Sequence, residues 1–363
     1  RRRSSSASTS FMDFLSQSSN CFLLARGRRQ ASCPHCQYGR VPLSAASMSP
    51  LVETVLFVFG LAALGYVSGI CGYLKPAIGD AVAELAVKVS LPVLLFRTMA
   101  HADFHGAAPW TLWTVYFFAA AVTWIAGHLT VTRIFGRNGA AGVVGGVSAA
   151  FSNTVLLGIP FILGVYGRDG VEILSLIISV HLAVMMVASI VLFETFGEGR
   201  KAPVRRRELA IGFLFKLFGN PIIVGILAGL VWHLMGLGLP SLAGRFVDAI
   251  ADTAGPLALF AMGLSLRKFG ISGNLLPSAS LSALKLVLMP AIVLAAAWLF
   301  GLPPLAAKIA VTTASMPTGV NSYLIAVQFR TSQGLASSQL TLSTVMAVVT
   351  TAFWLTVAHA VFG

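Results

Sequence analysis

Residues 141–166 form an apolar run long enough to cross a bilayer, yet Ser152-Asn153-Thr154 sits near its middle and Gly158 and Pro160 follow. A membrane helix needs ~20 mostly apolar residues. Pro removes a backbone donor and clashes with the preceding turn. In lipid the carbonyls freed in this way must be satisfied within protein or water. A second apolar run, residues 305–329, is interrupted similarly by Pro317-Thr318-Gly319 and then Asn321-Ser322. We therefore expect two broken membrane helices, with breaks at Pro160 and Pro317. Broken membrane helices in corresponding positions of two halves point to a transporter's binding site.

The rest of the chain agrees with a membrane setting. Of its 363 residues 56% are hydrophobic and 10% charged, where a soluble domain carries ~25% charged residues. Ten segments have membrane length: 51–71, 77–99, 110–132, 141–166, 171–196, 211–235, 241–266, 276–300, 305–329 and 336–362. The expected fold is an all-α polytopic membrane protein with ten transmembrane helices. Residues 48–196 would carry the first five, 197–210 a short basic cytoplasmic loop, and 211–363 the second five.

Residues 1–47 hold seven Arg and one Asp, so they contribute +6 of the net +13. This tail is Arg- and Ser-rich and acid-poor, as a transit segment is. The plainer expectation is a disordered or non-native stretch, with translation starting at Met48. Cys33-Pro34-His35-Cys36 is half of a zinc site, and no second pair follows at finger spacing, so no metal is expected. The remaining Lys and Arg lie mostly between apolar segments. With the first helix starting outside, twelve fall inside and four (Arg97, Arg168, Arg245, Lys308) outside. That bias places both termini outside and explains the charge without nucleic acid.

An internal repeat organises the chain. The offset from Asn153 to Pro317 is 317 − 153 = 164, and Pro92 falls on Pro256 and Gly65 on Gly229 at the same offset. Five helices per half is an odd number, so the second copy enters from the opposite face and the repeat is inverted.

Asn153 offers donors and an acceptor, and Thr154 a hydroxyl. The half-helix after the break starts with free N–H groups and a positive dipole end, which attract a carboxylate. Ser152, Asn153 and Thr154 in the first break, with Pro317, Thr318, Asn321 and Ser322 in the second, are the candidate substrate-binding residues. Capping of the broken helices is the alternative role for the same side chains. Glu84 and Lys88 lie four apart on the second helix and share a face. Asp248 and Asp252 are their equivalents at offset 164. These four are candidates for ion coupling or for structural support. Lys285 is expected to snorkel or pair. His128, His181 and His233 are expected to be satisfied buried or interfacial side chains in preference to proton relays. No nucleotide loop, zinc-protease pair or serine elbow is present, so no enzyme is expected.

Asn153-Thr-Val-Leu-Leu-Gly-Ile-Pro160, Gly219-Asn-Pro221, Gly255-Pro-Leu-Ala-Leu-Phe-Ala-Met-Gly263 and Met316-Pro317-Thr-Gly-Val-Asn321 together resemble the auxin efflux carrier family, particularly its bacterial malonate or malate permeases. The resemblance runs from about Leu51 to the C-terminus. It implies the fold of bile-acid symporters: two inverted five-helix repeats, a scaffold bundle, and a transport bundle whose fourth and ninth helices cross at their breaks. It implies an organic anion held by Asn153, a support site at Glu84 and Lys88, and a homodimer formed through the scaffold. One departure is Ser152, where plant members have Pro. The long central loop of long plant members is absent.

The expected function is secondary transport of a small carboxylate by alternating access across the plasma (inner) membrane. No cofactor is expected, and H+ or Na+ is the candidate coupling ion. The competing expectations are a sodium-coupled bile-acid-type symporter and a membrane sensor that binds without transporting.

Overall fold

The computed structural model describes residues 50–102, 109–196, 219–236, 238–270 and 274–363, all within the unit Met48–Gly363. The expectations for the tail and the basic loop lie outside these residues. The described secondary structure is helical, apart from one isolated bridge.

In chain order the helices are α1 (Pro50–Ile70), α2 (Pro76–Leu85), α3 (Leu91–Ala100), α4 (Pro109–Leu129), α5 (Gly139–Ala150) and α6 (Ile159–Phe196). They continue with α7 (Pro221–Leu234), α8 (Ser241–Leu266), α9 (Leu275–Ala283), α10 (Met289–Leu299), α11 (Pro304–Ser315), α12 (Val320–Gln328) and α13 (Gln333–Phe362). Among the described residues, six stretches are long and apolar enough to span a membrane: Glu53–Ile70, Pro109–Ile134, Thr154–Phe196, Ser241–Leu266, Leu275–Leu299 and Gln333–Phe362. The protein is a multi-pass membrane protein. The stretch Thr154–Phe196 is divided at Gly167, whose φ of 67° no helix tolerates. That residue separates the two apolar segments that the sequence places at 141–166 and 171–196.

Pro opens α2, α4, α7 and α11, where its missing N–H is harmless. At three other prolines its effect is absorbed by widening, whereas Pro256 lies inside α8 without such a turn. The π turns Ala86–Ser90, Thr154–Gly158 and Leu284–Leu288 each end two residues before a Pro, at 92, 160 and 290. A wider turn lets the ring clear the turn before it, and the chain continues as a helix. Pro160 is therefore not the break expected of it. It lies in the first turn of α6, and the chain leaves helical geometry earlier, at Phe151–Asn153.

Two groups of helices pack mainly within themselves; α6 touches both, and α13 of the second also touches α1 of the first. In the first, α8 packs on α1, α2 and α3, and α3 on α7; in the second, α4 packs on α5 and α10, and α13 on α9, α11 and α12. Small residues permit the closest approaches, as is common between membrane helices. A Cβ on Gly65 would come within 2.1 Å of the Phe260 carbonyl oxygen, and one on Gly229 within 2.5 Å of that of Phe96. Large apolar side chains such as Phe57, Trp110, Phe118, Val349 and Phe353 lie exposed on the outside, as a lipid-facing surface requires.

Candidate functional site

The two interrupted segments meet at their breaks. Phe151, Ser152 and Asn153 run extended against Pro317, Thr318 and Gly319, and Ser152 and Thr318 form an antiparallel bridge. The Asn153 N–H donates to the Pro317 carbonyl at 2.8 Å, and the Gly319 N–H to the Phe151 carbonyl at 2.8 Å. Each broken helix thus satisfies the other's backbone, which lipid could not do.

Side chains cap the carbonyls left at the ends of α5 and α11. Thr318 Oγ1 and Gln339 Nε2 both donate to the Ser148 carbonyl, at 2.8 and 3.0 Å. Lys285 Nζ donates to the Ala314 carbonyl at 2.6 Å and to Ser152 Oγ at 2.8 Å. Its charge sits at the negative dipole end of α11. The expectation was that Lys285 snorkels or pairs; it pairs with a hydroxyl and a carbonyl and does not snorkel. It is fully buried, because the π turn Leu284–Leu288 aims it into the crossing. Burying a lone ammonium costs several kcal/mol even after relaxation. Its one sequence signal was a single Lys inside an apolar span.

Beside the crossing lies a cavity of about 240 Å³. Ser152, Asn153 and Thr154 line it together with Asn321, so four of the seven candidate binding residues converge there. Two residues that were not among the binding candidates join them. Asn220 caps α7 by accepting from the Ile222 N–H at 3.0 Å; His181 is 2% exposed. The Phe151 ring stands 4.8 Å from the His181 ring. The Ser152 backbone approaches the imidazole without completing a hydrogen bond, and neither ring nitrogen has a partner. The first turn after the break, Thr154–Leu156, forms part of the wall, which sets the positive end of that helix start beside the cavity. Amides, an imidazole and a helix start, backed by a cation, suit a small anion. The other three candidates have different duties. Pro317 supplies a carbonyl and Thr318 a cap, and Ser322 Oγ donates to the Gly319 carbonyl at 2.8 Å.

A second cavity, of about 310 Å³, shares Asn153, Leu156 and Val320 with the first. It reaches Asp80 and Lys268, an ion pair that joins the start of α2 to the chain just after α8. Asn153 therefore stands in the walls of both cavities. Its Nδ2 has only Met262 Sδ at 3.6 Å, a weak partner that leaves the amide available.

The charged candidates lie elsewhere. Glu84 and Lys88 pair with each other, and both side chains are more than half exposed. Asp248 and Asp252 both accept from Arg97 Nη1, at 2.9 Å each. Arg97, which loop charge counting assigned to an outer helix end, is buried in the last turn of α3. None of the four acidic or basic candidates lines either cavity.

The model of a family described as membrane transport protein matches residues 50–355. Among relatives, a transporter of Methanothermobacter thermautotrophicus is 24% identical over 83% of this chain and 96% of that protein. A putative malonate transporter of Rhizobium meliloti is 26% identical, over 84% of this chain and 94% of its own. The probable auxin efflux carrier component 1d of Oryza sativa subsp. japonica is 27% identical over 39% of this chain and 27% of its own. A chain matched across its membrane-spanning length by that model, and similar to malonate and auxin carriers, belongs to the membrane transport protein family of auxin efflux carriers.

Proposed function

We propose that the protein is a secondary carrier of a small organic anion of the malonate or malate type, bound in the cavity at the helix crossing. The observation that carries this reading is the position of Asn153, an amide without a strong partner in the walls of two cavities. Alternating access needs one site that each side reaches in turn, and a residue shared by two cavities meets that need. Asn153, Thr154, Ser152, Asn220 and Asn321 would hold the anion, while Pro317, Thr318 and Ser322 keep the crossing in shape. The protein would span the plasma membrane with both termini outside.

The architecture proposed is ten helices in two inverted repeats, 48–196 and 211–363. One pair of contacts supports it. Gly65 meets Phe260, and Gly229 meets Phe96; 65 + 164 = 229 and 96 + 164 = 260. A contact between the halves thus recurs with its partners exchanged, as a pseudo-two-fold axis requires. The group α1, α2, α3, α7 and α8 would serve as scaffold and dimer surface, and the group around the crossing as the moving bundle.

Counterflow of labelled malonate into proteoliposomes tests the reading, with the full chain beside Asn153→Ala. Flux in the parent that the variant loses is the expected result. A pH or sodium gradient, imposed in turn, names the coupling ion, and a sodium requirement would favour the bile-acid-type symporter. Malonate binding without flux would instead leave a sensor.

A further inference from the structure

The crossing buries the Lys285 amine, and among the described residues around it no carboxylate stands as a countercharge. The π turn that carries Lys285 packs on α4, α5, α9, α10, α11 and α13. The sequences of these six helices contain no Asp or Glu. Their titratable side chains are Tyr116 and His128 on α4, Lys308 on α11 and His359 on α13. Across the crossing, His181 of α6 lies within electrostatic reach of Lys285. The acidic residues of α6, Asp169, Glu172 and Glu194, lie at least nine residues along from His181, which is ~13 Å or more at 1.5 Å per residue. Elsewhere among the described residues the cations of the ion pairs, Lys88, Arg97 and Lys268, each meet a carboxylate.

Ser152 connects this charge to the cavity. Its Oγ accepts from Lys285 Nζ at 2.8 Å and from the Tyr116 hydroxyl at 2.9 Å. A hydroxyl has two acceptor lone pairs and one donor. With both lone pairs engaged, the Ser152 proton is left to donate, and Ser152 forms part of the cavity wall. Two donors on one oxygen polarise that proton, since chained hydrogen bonds reinforce one another. Beside it His181, buried and unpartnered, lines the same wall.

We propose that Lys285 is the fixed countercharge of the transported anion, presented to the cavity through the hydroxyl of Ser152. The proposal rests on the carrier reading above and adds a determinant of specificity to it. Ser152 is a binding residue; Lys285 is a positioning residue that acts through it. The site selects a carboxylate over its uncharged amide, because only the anion balances the buried ammonium.

The test uses the full-length protein with malonate and its uncharged analogue malonamide. Thermal melts in detergent report binding, and proteoliposome uptake reports transport, for the parent, Asn153→Ala, Ser152→Ala and Lys285→Met. Malonate is expected to raise the melting temperature of the parent, and malonamide to leave it unchanged. In Lys285→Met, shown to be folded by a cooperative melt, half-saturating malonate should rise at least about tenfold and the preference over malonamide should vanish. Ser152→Ala should fall between that variant and the parent. Lys285→Met that keeps both affinity and preference, while Asn153→Ala loses uptake, overturns the countercharge and leaves the carrier standing. If Lys285→Met fails to fold, the other proteins decide. Equal binding of malonate and malonamide by the parent, or an unchanged preference in Ser152→Ala, overturns the proposal. A parent that neither binds nor moves any carboxylate overturns the carrier reading and the countercharge with it.

Discussion

The molecule treats charge in two ways. Around α3 and α8 and the π turn before α3, Arg97 meets Asp248 and Asp252, and Lys88 meets Glu84, so each of these two cations has a carboxylate of the protein beside it. At the crossing, Lys285 meets only a hydroxyl, a carbonyl and a thioether. In the first region the carboxylates are half exposed or more, so water shares the work and each pair contributes modestly. In the second the amine is buried from solvent and meets no carboxylate among the described residues. A protein that tolerates such a charge can offer it to a ligand, whereas a paired charge is already spent on the fold.

That contrast is most open to attack at Lys285. Reversing its charge with Lys285→Glu should lower malonate uptake at least about a hundredfold. At an effective dielectric of ~20 and a separation of ~8 Å, each unit charge is worth ~2 kcal/mol to an anion. Initial uptake rates in proteoliposomes measure it, and activity near that of the parent would erase the difference between the two regions. A smaller effect is expected of Arg97→Gln. Asp248 and Asp252 are exposed enough to hydrate alone, so the loss in stability should be ~1 kcal/mol, read as a melting shift of a few degrees. Uptake should change by less than about threefold, the span of a fraction of a kcal/mol. The smallest effect belongs to Glu84→Gln. An exposed i, i+4 pair contributes ~0.3–0.5 kcal/mol, so both melting and uptake should stay near the parent. A collapse of uptake in this variant, with the melt intact, would return Glu84 and Lys88 to the support role that the resemblance implied.

Much of the crossing was legible in the sequence, because its signals are local. A polar triplet within an apolar run has few affordable places in a bilayer, and Pro317 stops a helix by its own covalent structure. The shared offset of 164 linked the two breaks before any coordinates did. The position of the first break was misread, since Pro160 looks like a breaker and a π turn accommodates it. Asn220 was visible within Gly219-Asn220-Pro221, yet nothing in that tripeptide tells which cavity it borders. His181 and Lys285 were seen and given structural duties, because a lone polar residue on an apolar helix usually has one.

Apolar length, composition and the two polar interruptions determined by themselves that this chain lives in a membrane, folds as helices and breaks two of them. These are consequences of hydration and backbone hydrogen bonding that act within a few residues. Only the tertiary structure decided which polar groups face one another. Ser152, Tyr116, His181 and Lys285 come from four separate segments, and no spacing along the chain records their meeting. Whether a buried charge is balanced depends on every helix packed around it, so the unpaired state of Lys285 became readable only once its neighbours were known.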